Sequence, residues 1–183
     1  MTAIYPHQII EFWFSKRVAP LRFNSTPAFD QEVSDNYLPL WQNAENGQLD
    51  HWLETKEGCL ALVIVLDQFP LHMFRNQAES FSTEQQSRDV AEHAIACGFD
   101  AQLPLDQKAF LYLPFMHSES LSDQERSVSL FESAGLNDNL KWAKHHRDLI
   151  QRFGRFPHRN TLLGRESSTE ELTYLSSKEA FIG

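Results

Sequence analysis

Residues 152–165, Arg-Phe-Gly-Arg-Phe-Pro-His-Arg-Asn-Thr-Leu-Leu-Gly-Arg, concentrate the groups in this chain best able to grip an anion. A guanidinium meets a carboxylate or phosphate with two parallel N–H bonds, and His158 and Asn160 add further polar atoms beside Arg155 and Arg159. The segment stands out because the chain is acidic, with a formal net charge of -9. Lys141–Arg165 holds seven Lys or Arg against one Asp, whereas all other residues together hold nine against 24 Asp or Glu.

Two further segments share its form, an apolar run ending abruptly in polar residues beside a proline. They are Leu66-Asp67-Gln68-Phe69-Pro70, with Arg75 five residues on, and Leu113-Pro114-Phe115-Met116-His117-Ser118-Glu119. Polar side chains at helix ends lie where unpaired backbone groups also occur, a natural geometry for holding a ligand. If the three ends meet, Arg75, Arg152, Arg155, Arg159 and Arg165 face only Asp67 and Glu119, leaving an excess of three positive charges. A buried guanidinium without a counter-charge costs several kcal/mol, so the excess must be solvated or matched by an anion. The expected ligand contacts are therefore Asp67, Gln68, Arg75, Arg152, Arg155, His158, Arg159, Asn160 and Arg165. The expected acid–base groups are His117, Glu119 and His146, tuned by the arginines. The competing reading is that these charges pair among themselves and tie helix ends together.

Other chemistries find less support. His117, Glu119, His146 and His158 offer metal-ligand types, but His-Ser-Glu is not a helical ligand pair and the surrounding positive charge disfavours a cation. No metal or cofactor is assigned. Ser118 follows His117 without a Gly-x-Ser-x-Gly turn, and no Gly-rich phosphate loop occurs.

The elements that must position these residues read as helices nearly throughout. Pro6 opens a helix with Ile9, Ile10, Trp13 and Phe14 as its apolar stripe. Phe29, Val33, Tyr37 and Leu40 mark one face of a second. Gly58–Gln68 is apolar all round, which belongs at the centre of a fold, and Pro70 is expected to end it. Three Ser-x-x-Glu/Gln patterns, beginning at Ser82, Ser122 and Ser168, are expected capping boxes. Leu105–Met116 is expected to break near Pro114. Asn137–Phe153 is a long seventh helix closed by Gly154, with Trp142, His146, Leu149, Ile150 and Phe153 inward and His145 outward. About eight helices result, an all-α array of antiparallel hairpins in a single domain over residues 1–183.

An apolar fraction of 42% with 14 Phe and four Trp supplies a large aromatic core. Cys59 and Cys97 lie in apolar helical patterns and read as buried free thiols. The longest apolar run, Cys59–Leu66, is far short of the roughly 20 residues that span a bilayer, and no leader pattern precedes it. The expected location is the cytoplasm, without membrane attachment. The acidic balance argues against nucleic acid as a partner. The oligomeric state is left open.

Phe12-Trp13-Phe14, Phe29-Asp30, Leu66 through Pro70, Phe74-Arg75, Phe115 through Glu119 and His146 through Arg165 together resemble the bacterial domain-of-unknown-function family numbered 924, over essentially the whole chain. That resemblance implies a tetratricopeptide-like helical fold and no particular activity. The chain departs from the family's usual pattern at Leu71-His72, where Arg-Asn is common, and at Arg22-Phe23, where Trp-Phe is common. Three functions then compete: a binding or catalytic site for a small anionic ligand, a helical module that binds a protein or peptide, and a polar core that serves stability alone.

Overall fold

Gly58 shows how tightly the chain winds on itself. A Cβ placed there would lie 1.9 Å from the Trp52 carbonyl oxygen, so no larger residue fits beneath the turn Asp50–Glu54. From that contact starts α3 (Lys56–Met73), capped by Thr55, whose hydroxyl accepts the Gly58 N–H. The computed structural model describes residues 4–181. Among them are eight α-helices and no strand, so the fold is all-α.

The backbone gathers into two units, Met1–Pro114 and Phe115–Gly183. In the first, α1 (Pro6–Trp13) and α2 (Pro27–Glu45) pack against α3, and α4 (Glu84–Ala96) packs on it as well. Helix α3 comprises Lys56–Val63, a wide turn Ile64–Gln68 and Phe69–Met73. Every residue from Gly58 to Pro70 is buried, as an all-round apolar helix requires.

Pro70 does not end this helix, contrary to expectation. The wide turn absorbs the proline: the Phe69 N–H reaches back five residues to the Ile64 carbonyl. A widened turn relieves the clash between a proline ring and the preceding turn. Proline also leaves the Leu66 carbonyl without its usual helical donor. The Thr83 hydroxyl supplies one, at 2.6 Å, and itself accepts the Trp41 indole N–H at 3.2 Å. Pro114 behaves similarly, since α5 (Leu105–Met116) runs on without interruption.

In the second unit α6 (Leu121–Ser133) and α7 (Asn137–Phe153) form a hairpin. Gly154 closes α7 at φ +70°, in the left-handed region that glycine adopts freely. A short turn Pro157–Arg159 and α8 (Thr169–Leu175) follow, and Leu149, Ile150, Phe156 and Tyr174 form a core that Phe153, Leu175 and Phe181 cover.

The Ser168 capping box is present in full: Ser168 Oγ accepts the Glu171 N–H while Glu171 accepts the Ser168 N–H. The other two are absent. Helix α4 starts from Thr83 and α6 from Ser120, with no side-chain cap at either. The Ser82 hydroxyl donates to the Glu79 carbonyl instead, and Ser122 pairs with Ser120. Cys59 is buried, but Cys97 is exposed, because it caps α4 beside Gly98 rather than facing the core. Trp142 is 55% exposed, one position off the buried stripe of α7, whose inner residues are Ala143, His146, Leu149 and Ile150. His145 is half-buried, not fully outward.

Thr83→Val keeps the shape but strands both the Leu66 carbonyl and the Trp41 indole. A loss of about 2 kcal/mol in urea denaturation is expected, with Thr83→Ser close to wild type.

Candidate functional site

The basic segment is held by one carboxylate. Glu119 Oε1 accepts the backbone N–H of Phe156 at 2.7 Å and Arg165 Nη2 at 2.9 Å, while Oε2 accepts Arg165 Nη1 at 2.6 Å. Three donors and the charge of Arg159 hold Glu119 below the usual carboxylate range, against the opposing effect of burial. Arg165 reaches further, its Nε donating to the Asn160 side chain. Asn160 is wholly buried; it donates to Ser167 Oγ and helps to hold the Glu171 carboxylate.

Glu171 is the second anchor. Arg155 meets it with Nε at 2.7 Å and Nη2 at 2.9 Å, and Nη2 also donates to the Glu166 carbonyl. Arg155 is the main reason that the Glu171 carboxyl is pushed down to about 2. Beside this pair Arg152 donates to Glu170 at 2.8 Å. An open polar cleft lies over Arg152, Phe153, Arg155, Ser168, Glu170 and Glu171, and both of its arginines are already paired.

The histidines gather around two aromatic rings. His146 is 6% exposed and stands edge-on to Phe156 at 5.4 Å and to Phe181 at 4.6 Å. Its Nδ1 donates to the Trp142 carbonyl at 2.8 Å, so the proton sits on Nδ1 and Nε2 carries the lone pair. Burial pushes it down to about 3, and His117, His145 and Arg159 add to that. His158 packs on the same two rings, at 5.7 and 5.1 Å. Its Nδ1 is out of water and has no hydrogen-bond partner, and burial with Arg159 pushes it down to about 4. Arg159, only 6% exposed, lays its guanidinium over the Phe156 ring at 4.7 Å. His117, Glu119, His146, His158, Arg159 and Arg165 thus fall within one electrostatic neighbourhood in the second unit.

Asp67, Gln68 and Arg75 belong to the first unit. Asp67 and Gln68 are buried, and the Gln68 amide donates to Asp67 at 2.6 Å. Arg75 is held by Asp30, through Nε at 2.6 Å, and not by Asp67 or Glu119. Asp30 also accepts from Ser25 and from His72 Nδ1, at 2.8 Å for the latter, and its carboxyl is pushed down to about 2 despite burial. Asp30, Glu170 and Glu171 are the acids that charge counting along the sequence left out. Phe181 is the aromatic it left out. The Ser168 capping box was the one sequence signal that pointed to Glu171.

The bacterial proteins of unknown function grouped as DUF924 match residues 9–179. The chain belongs to this family. Its fold is similar to a solved structure of a protein of unknown function from Agrobacterium tumefaciens, with 39% sequence identity and a TM-score of 0.89, over 93% of this chain and 96% of that one. None of the curated proteins matches the chain. Among the described residues, no group of three or more His, Cys, Asp or Glu is arranged to hold a metal ion, and no helix is long and apolar enough to cross a membrane.

The perturbed groups set the acid limb of stability. His146, low when folded, stays neutral while its unfolded counterpart takes a proton, so stability falls as the pH drops below about 6.5. Glu171, also low when folded, adds stability that is complete above about 4.5 and lost toward pH 2. Denaturant unfolding from pH 8 to 3 should show that His146→Gln flattens the decline from pH 6.5 down to about 3. Glu171→Gln should flatten only the part below about pH 4.5.

Proposed function

We propose that the Phe115–Gly183 unit binds a small carboxylate- or phosphate-bearing molecule through His158 and Arg159. The observation that carries this reading is the His158 Nδ1, buried without a hydrogen-bond partner beside a buried guanidinium. An unpaired buried nitrogen costs about 1–3 kcal/mol, which an anionic oxygen accepting from it would relieve. Glu119 makes no hydrogen bond to that nitrogen and accepts instead from Phe156 and Arg165. An anion would also lift His158 from about 4, so binding tightens as the pH falls.

The same facts favour binding over turnover. Glu119 is held ionised, which makes it a poor proton donor near neutrality, and His146 at about 3 is a weak base there. His146 instead offers Nε2 as a fixed acceptor for a ligand hydroxyl or amine. A purely structural role is supported for Arg75, Arg152 and Arg155, whose guanidinium groups are committed to Asp30, Glu170 and Glu171.

Sulfate tests the proposal, because its charge is constant across the pH range. Calorimetric or thermal-shift titration at pH 7.5 and 5.5, against chloride at matched ionic strength, should show saturable sulfate binding that is stronger at the lower pH. His158→Asn with Arg159→Met should abolish it, while Arg155→Met lowers stability and leaves the sulfate effect intact. Sulfate binding that survives the double substitution, or no saturable binding in the wild-type protein, refutes the reading.

A further inference from the structure

Arg22 differs from the paired arginines described above. It follows the short turn Ala19–Leu21, and its guanidinium carbon lies 5.1 Å from the centre of the Phe14 ring and 5.2 Å from that of Phe110. The two rings meet at 90°, with centres 5.3 Å apart, so they form a corner in which the cation sits. Its Nε is out of water and has no hydrogen-bond partner. Asp106 acts on it only through space, and burial lowers the guanidinium from its ordinary value. A partly buried cation resting on π faces is stabilised by the ring quadrupoles, but among the described residues no acid pairs with it directly.

Beside it stands Phe23, 76% exposed, its ring nearly parallel to Phe110 at 14° with centres 5.9 Å apart. Phe110 is buried in α5 and fixes the pair. A large ring so exposed, held flat against a buried one, offers its outer face for stacking. In a chain of net charge -9, a cation without a close acid next to an open aromatic face has a specific complement. That complement carries a carboxylate at one end and a flat apolar body at the other.

We infer that Arg22, Phe14, Phe110 and Phe23 form a binding site for a small aromatic carboxylate. The carboxylate pairs end-on with the guanidinium, and the aromatic body stacks on Phe23. The site lies wholly within the first unit and is independent of His158 and Arg159 in the second.

Benzoate is the probe, with benzylamine and sulfate as controls, observed by ligand-detected NMR and calorimetry on the full chain. Benzoate should bind saturably. Arg22→Gln should weaken it roughly tenfold or more, as loss of a charge-assisted pair predicts. Phe23→Ala, at an exposed ring where folding is not at risk, should weaken it several-fold. Arg22→Lys keeps the charge without the fork and should fall between. His158→Asn with Arg159→Met should leave the Arg22-dependent benzoate binding unchanged, which separates this site from the anion site above. The inference fails if benzoate shows no saturable binding, or if Arg22→Gln leaves its affinity unaltered. It also fails if benzylamine binds as well as benzoate, or if sulfate binds Arg22 as tightly as benzoate does.

Discussion

Glu119 is a carboxylate drawn partly out of water, and a carboxylate in that position needs donors on both oxygens. It takes the Phe156 N–H and two nitrogens of Arg165. Much of the second unit follows from that requirement. The Phe156 backbone is fixed, so the turn Pro157–Arg159 begins at a set point and Arg159 lies over the Phe156 ring. Arg165 is fixed, so Asn160 has a donor and can help hold Glu171. Glu171 in turn pins Arg155 and caps α8. The basic segment is therefore a chain of pairs, each closing the next, with His158 left beside them.

The first unit solves a backbone version of the same problem. Pro70 within a buried helix withholds a donor, and the orphaned Leu66 carbonyl must be met by something. Thr83 meets it from the start of α4, and Trp41 from α2 donates to Thr83. Three helices are thereby tied at one carbonyl. Asp30 does similar work at the end of α3, gathering Ser25, His72 and Arg75. In both units a polar group excluded from water recruits partners far away in sequence, and those partners set helix positions.

This pairing changes how the arginines are read. Their number along the chain suggested a large positive excess. Local acids consume most of it, and what is left for a ligand is smaller and more specific: a neutral, unpartnered imidazole nitrogen in the second unit, and a cation in an aromatic corner in the first. Similarity to a bacterial family and to a solved structure, both of unknown function, fixes the fold and leaves the chemistry to these residues.

The sequence alone determined what depends on neighbours within a few residues. Helical periodicity fixed the all-α class, the bounds of Asn137–Phe153, the inward face of His146 and the central burial of α3, because a helix repeats its faces every 3.6 residues. Gly154 and the Ser168 box were legible because capping is local. Tertiary structure decided everything that needed a distant partner. Which acid meets Arg75 or Arg155 depends on packing across 16 to 45 residues. The Ser82 and Ser122 hydroxyls had other acceptors within reach, so their motifs did not become caps. Pro70 was absorbed because a threonine 17 residues past Leu66 was brought to its carbonyl. A side chain's type sets which bonds it needs, and only the fold sets which partner is near enough to make them.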